Sequence, residues 1–430
     1  MAIANIISAI GNNSSIYPLL VRDCCIEVPS KILIARKENL KESKEIANDA
    51  TRERFIDEYA TSAIWLGGIP LTEKIADKFI SKKGFSPEIN IKLFNTEKTA
   101  LQNVEVNIEK FKNIKLQDVQ DALADLIKVK ENKAIYEGLL TKKFIAATAI
   151  PTLIMGFVLP PLNFALTRKI REKRAGEKKD NTVVNSTMSF TSNSKTFDEF
   201  KIRGQKQPSF TGSITSAIAN LRTVDKMAIS DGGLTVGRVS TSRNKEEGYV
   251  NAFRMIGSMI LNFVTPVYIA KGLDKLANKL FNINVNLDPI ILDNKEFINA
   301  IKEGKIELPK STSEKDILEF LDTKQDSLFA KFAKKLGKVS YLKSGYRDPR
   351  KFVDIKDMAK FKKEFENFIE GAKNSKNIEH FARKAKYVKG LNILANVGIS
   401  SFLLAGLLPK AQYEFNKLVT GSYTDPGLRK

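Results

Sequence analysis

The sequence predicts a mostly α-helical, membrane-associated protein in which proline-broken apolar helices alternate with amphipathic polar inserts. Three observations predict it. Two runs without charge, Phe144 to Thr167 and Gly390 to Pro409, reach the ~20 residues a helix needs to cross hydrocarbon. Polar stretches between the apolar runs place large apolar residues at helical spacing, with Lys opposite. Gly and Pro recur inside the apolar runs, among them Gly67, Pro70, Pro151, Gly156, Pro160, Pro266, Gly398 and Pro409, where neighbouring helices can satisfy the carbonyls a proline frees.

Taken in order, Met1 to Ile10 is a short apolar run without a basic flank or cleavage site, which reads as a retained amphipathic anchor. Cys24 and Cys25 are adjacent and too few for a structural zinc site, so a reducing compartment is the simplest inference. Tyr59 to Leu71 is short, more like a re-entrant or interfacial piece, and Met255 to Ala270 could span with tilt. Leu116, Val119, Leu123, Leu126 and Ile127 form one helical stripe. Ile317, Phe320, Leu321, Leu328, Phe332 and Leu336 form a second, and Met358, Phe361, Phe365, Phe368 and Ala372 a third. Packed core is the plainer reading of all three, with a lipid-surface role as the sharper one.

These segments divide the chain into a first half, 1–171 with apolar segments 59–71 and 144–167, and a second half, 251–430 with segments 255–270 and 390–409. Between them, 172–250 reads as a flexible polar linker, rich in charge and then in Ser, Thr and Asn. Within it, Ile229 to Val239 reads as a turn joining two short extended pieces around Gly232 and Gly233. The halves also allow a tandem pseudo-repeat. Pro70 and Pro266 lie 196 positions apart, as do Asn90 and Asn286 within short β-like pieces, and Pro160 and Pro409 lie 249 apart in similar apolar contexts.

Charge and chemistry narrow the function. The net charge is +21, and 16 of the 70 basic residues are Arg, so Lys dominates and favours diffuse attraction to polyanions over base reading. His380 is the only histidine, which rules out a His-based metal cluster or a Ser-His-Asp triad within this chain. The acid pairs Asp57-Glu58 and Glu246-Glu247 read most simply as solvated surface, although Asp57 and Glu58 abut an apolar run and would be functional if drawn into a membrane.

The leading expectation is a non-enzymatic integral or monotopic membrane protein with a structural or membrane-organising role. It carries no cofactor or metal, and most of its polar segments lie on the cytoplasmic side. Proline-bent hairpins would dip into the bilayer, with Leu153, Ile154, Phe157, Val158, Phe402, Leu403 and Leu404 facing lipid. Arg168, Lys169, Arg171, Lys173 and Arg174 would contact anionic headgroups. The partners are membrane lipids, and a homo-oligomer is compatible. The first alternative is a small-molecule or lipid transporter, with Asn163, Asn262, Asn392 and Asn396 as the available path-lining groups. A soluble helical nucleic-acid binder ranks last, since no reading motif or Arg/aromatic patch is present.

Overall fold

The computed structural model describes residues 21–180, 223–281 and 287–429. Helix makes up 78% of it, and no strand occurs among the described residues. A short π-helical turn, Val21–Glu27, leads into α1 (Val28–Asn39), which folds back on α2 (Lys44–Ala63), whose N-terminus is capped by Ser43 Oγ accepting the Ile46 N–H. A π turn, Ile64–Gly68, carries α2 without a break into α3 (Ile69–Lys82). The first polar insert then adds α4 (Val104–Phe111) and α5 (Gln117–Glu131).

A second long helix runs through α6 (Lys133–Phe144), α7 (Ile150–Leu153) and α8 (Leu159–Asp180). Next come α9 (Thr223–Ser240) and the long helix formed by α10 (Lys245–Met259) and α11 (Thr265–Phe281). The second insert holds α12 (Pro289–Leu292), α13 (Lys295–Glu303), α14 (Glu314–Thr323), α15 (Leu328–Lys335) and α16 (Ile355–Lys373). The last long helix joins α17 (Ile378–Phe402) to α18 (Leu408–Thr420), which stops at Gly421 in the left-handed conformation.

The prolines do not turn the chain back, so the expected dipping hairpins are replaced by continuous helices. Proline has no N–H, and its ring presses on the carbonyl four residues earlier. In each case the ladder widens by one residue just before it. Ile69 donates to the Ile64 carbonyl, Ile150 to Ile145, Leu159 to Ile154, Thr265 to Ile260 and Leu408 to Leu403. Among the described residues, three helices are thereby long and apolar enough to cross a membrane: Lys133–Gly176, Lys245–Phe281 and Ile378–Thr420. Tyr59 to Leu71 is the middle of the 44–82 helix and not a separate re-entrant piece.

Two further expectations are corrected. Ile229 to Val239 is helical, inside α9, because Gly233 and Gly237 serve helix packing instead of a turn. A Cβ on Gly237 would lie 2.7 Å from the Gly156 backbone, and one on Gly233 would lie 2.7 Å from Thr152 Cγ2. The β-like piece at Ile89–Ile91 leads into a 3-10 turn, Ile91–Phe94, and most of its counterpart near Asn286 lies outside the described residues. Of the 172–250 stretch, both described ends, up to Asp180 and from Thr223, are helical. The Met1 to Ile10 run also lies outside the described residues.

The two inserts form a single polar head. Gln102, fully buried in the first insert, accepts the Val353 N–H at 2.7 Å and donates to the Val353 carbonyl at 3.0 Å. Arg350 joins Asp125 of the first insert at 2.9 Å, and Asn90 donates its N–H to the Arg350 carbonyl at 2.9 Å. Inside the head, Phe297, Phe329, Phe361, Phe365 and Phe368 interlock mostly edge to face, so the stripe Met358–Ala372 is core as the periodicity indicates. Val119, Leu123 and Leu126 are core too, while Leu116 and Ile127 at the stripe's margins are exposed.

Candidate functional site: a charged cavity inside the helical bundle

Below the head, the bundle is apolar outside and polar inside. Ile150, Leu153, Ile154, Phe157, Val158, Ile256, Ile260, Leu394 and Ile399 are exposed, whereas Thr148, Thr152, Asn163, Ser230, Arg238, Arg254, Ser400 and Ser401 are buried. Within the three long apolar windows only 39%, 11% and 28% of residues are buried, so most of their apolar side chains point outward.

Leu153, Ile154, Phe157, Val158 and Phe402 lie on this outer face and Leu403 is half-buried. Leu404 is a correction, since it is fully buried while Phe402 is 67% exposed. Positions two apart lie about 200° apart around a helix at 3.6 residues per turn, so the two cannot share a face.

The interior is organised by ion pairs that link segments distant in sequence. The α1–α2 hairpin places Lys31 Nζ 2.6 Å from Glu27 and 3.2 Å from Glu58. Arg238 on α9 donates to Asp57 Oδ1 at 2.8 Å and to Thr61 Oγ1 at 2.7 Å. Arg254 on α10 stands 3.7 Å from both Asp57 and Glu58, and Arg54 is 3.6 Å from Glu58. Asp57 and Glu58 are thus an interior ionic layer rather than solvated surface. Mutual pairing offsets a desolvation cost that would otherwise exclude such charges.

Above this layer, toward the head, opens a cavity of about 310 Å³. Its walls include Asp23, Glu27, Asp231, Trp65, Asn262 and Asn396. The Trp65 indole N–H, Asn262 Oδ1 and the Nε groups of Arg238 and Arg254 are buried without a hydrogen-bond partner among the described residues. Below the layer lies a smaller chamber of about 70 Å³, which Arg238 and Arg254 also border. Its far wall is a second ionic layer, where Arg243 forks onto Glu53 at 2.9 Å for both oxygens and reaches Glu247 at 2.7 Å. Glu247, expected to be surface, also accepts the Arg243 N–H at 2.6 Å and so is buried at the start of α10.

The end opposite the head is sealed by the chain's last described residues. Asn39 donates to Asp425 at 3.1 Å and accepts the Asp425 N–H at 2.9 Å, and Asn244 donates to the Pro426 carbonyl at 3.1 Å. Here the structure also places the basic cluster. Arg171 pairs with the buried Asp49 at 2.7 Å, and Arg174 pairs with the same carboxylate, while Arg168 and Lys169 are exposed and Lys173 points outward.

Asn262 and Asn396 line the main cavity and Asn163 the smaller chamber. Asn392 is instead bound to Asp274 at 3.0 Å outside both. The residues that sequence reasoning missed are Glu27, Lys31, Asp231, Arg238, Arg243 and Arg254. A signal was present for some of them: Glu27 and Lys31 are four apart, and Asp231 and Arg238 seven apart, so each pair shares one helical face. Among the described residues no three of His, Cys, Asp and Glu are placed to hold a metal ion, and His380 is exposed at the start of α17. Compared with known proteins, the chain matches no family model, no curated protein and no solved structure.

Proposed function

We propose that this is an integral membrane protein that binds a small polar solute inside its helical bundle, as a carrier or receptor for that solute and not as an enzyme. The observation that carries the reading is the charged cavity enclosed by helices whose outer faces are apolar. Ionisable groups at membrane depth are costly and are retained where they serve a solute or ion path. The cavity volume lies at the small end of the range for ligand pockets.

In this reading the head lies on one face of the membrane, because both inserts are built into it. Lys82, Lys83, Lys130, Lys133, Lys142 and Lys143 flank the helix ends there and favour the cytoplasmic side. The Arg cluster at the other end is partly neutralised by Asp49, as Lys130, Lys133 and Lys143 are by Glu105, Glu137 and Asp77, so the orientation rests on the larger number of Lys at the head. Arg168 and Lys169, exposed at that interface, remain available for lipid phosphate groups. A membrane-organising role draws support from the same head, a broad Lys-rich surface held at a fixed distance from the bilayer.

The test uses a Cys24→Ser, Cys25→Ser background with single cysteines at Ser258, which lines the cavity, and at Leu153, on the outer face. The protein should stay in the membrane pellet through alkaline carbonate. A membrane-impermeant thiol reagent should label Ser258→Cys and spare Leu153→Cys. Release by carbonate would refute membrane integration, and equal labelling at both positions would refute a cavity inside lipid-facing helices.

A further inference from the structure

The ionisable groups around the cavity are sorted along the bundle axis. Thr235 Oγ1 lies 3.7 Å from Met259 Sδ, and Arg238 Nη1 lies 4.0 Å from Met255 Sδ, so α9 and α10 run antiparallel. Continuing that register, Asp231 is level with Asn262 and Phe263. This is eight or nine residues, or roughly 12–13 Å at 1.5 Å per residue, nearer the head than Arg254. Asp23 and Asp231 face the head-side part of the cavity against one cation, Arg22, whose Nε binds Asp23 at 3.0 Å. The opposite part is lined by three cations, Lys31, Arg238 and Arg254, against two acids, Glu58 and Glu27, the latter 2.6 Å from Lys31. The site is neutral in total, with a negative and a positive end.

One group at each end is under-used. The Asp231 carboxylate makes no hydrogen bond or ion pair among the described residues although it lines the cavity. Arg254 approaches Asp57 and Glu58 only at 3.7 Å, and its buried Nε has no partner. Other guanidinium groups of the interior are better matched: Arg238 makes bonds at 2.7 and 2.8 Å and Arg243 a fork at 2.9 Å.

We infer that the cavity takes a small zwitterion whose ammonium and acid groups are several bonds apart, the ammonium at Asp231 and the acid group at Arg254. A singly charged ligand would leave one end unmatched in a low-dielectric interior, and a compact zwitterion such as glycine could not reach both. Asn262 Oδ1, level with Asp231, supplies a further acceptor for an ammonium, and the Arg254 Nε–H a donor for the acid group. The inference rests on the reading of this cavity as a solute site.

Calorimetry on the detergent-purified full chain tests it, with 6-aminohexanoate, hexanoate, hexylammonium and glycine as probes. 6-Aminohexanoate should bind at least tenfold more tightly than any of the other three. Asp231→Asn and Arg254→Gln should each weaken it tenfold or more, and Arg254→Lys should recover part of the loss. Circular dichroism and a monodisperse elution profile establish that each variant is folded. Equal binding of hexanoate or hexylammonium, or no binding of any probe by the folded wild-type protein, would overturn the inference. Uptake of 6-aminohexanoate into proteoliposomes is measured separately. Binding without uptake leaves the zwitterion site standing and removes the carrier role, while thiol labelling of the cavity without binding of any probe removes the zwitterion and keeps the solute site.

Discussion

Arg238 and Asp57 come from segments 181 residues apart, yet the guanidinium is 5% exposed and bonded to the carboxylate. Removing one partner leaves the other charged and buried, which costs about 3–5 kcal/mol, whereas removing both costs less than the sum. Arg238→Gln should therefore strongly lower the thermal midpoint in detergent, and adding Asp57→Asn should restore part of it. Additive losses would show that the two act independently. In the head, Glu364 is held above its ordinary pKa by burial, with Lys360 3.7 Å away as partial compensation. A carboxyl whose folded pKa is raised binds its proton more tightly in the folded state, so its contribution falls as pH rises from the unfolded value through the folded one. Glu364→Gln should accordingly stabilise the head at pH 7–8 and lose that advantage in acid. A pH-independent gain in melting temperature would assign the effect to packing instead.

Between helices, α9 crosses the helix at Gly156 so closely that Gly237 has no room for a side chain. Gly237→Leu should separate the helices and dismantle the Asp57–Arg238 bond, seen as aggregation or loss of monodispersity in detergent. The same substitution at Gly272, whose Cβ would meet nothing within 4 Å, should be tolerated. On the outer face, changing Leu153, Ile154, Phe157 and Val158 together to Asp should release the protein from the membrane pellet. Each Asp at a helix centre costs about 2.5–3.5 kcal/mol on insertion scales. Unchanged recovery would place that face away from lipid.

Periodicity made these elements legible where one face meets one environment. The Met358–Ala372 stripe is core because its pattern repeats over several turns, and Leu153, Ile154, Phe157 and Val158, four apart in pairs, share one outward face. It failed at Leu404, where consecutive apolar residues necessarily point to different sides. It failed again at α9, where paired glycines look like a turn until the facing Gly156 is known. The interior charges were the hardest part to read, since Arg254 and Glu58 differ from surface residues only through partners that the chain supplies far away.

As a whole molecule, the described residues form a bundle of four long helices with α1 and α9, tied by one head. The twin bonds between Gln102 and Val353 and the Arg350–Asp125 pair require both inserts on the same side. Single cysteines at Lys98 and Lys376, both exposed on the head, should react alike with an impermeant thiol reagent in oriented vesicles, and a cysteine at Lys169 oppositely. Reaction of the two head positions from opposite sides would exclude this arrangement.

The separation in sequence between interior partners sets an order for biosynthesis. Asp57 and Glu58 leave the ribosome long before Arg238 and Arg254, and Asn39 waits for Asp425, 386 residues later. The first long helix therefore emerges with Asp57 and Glu58 matched only locally, by Lys31 and Arg54, and these acids gain their remaining partners only once Arg238 and Arg254 have been made. A nascent chain halted before residue 238 would carry Asp57 without its 2.8 Å partner, so the interior of the bundle closes late in synthesis.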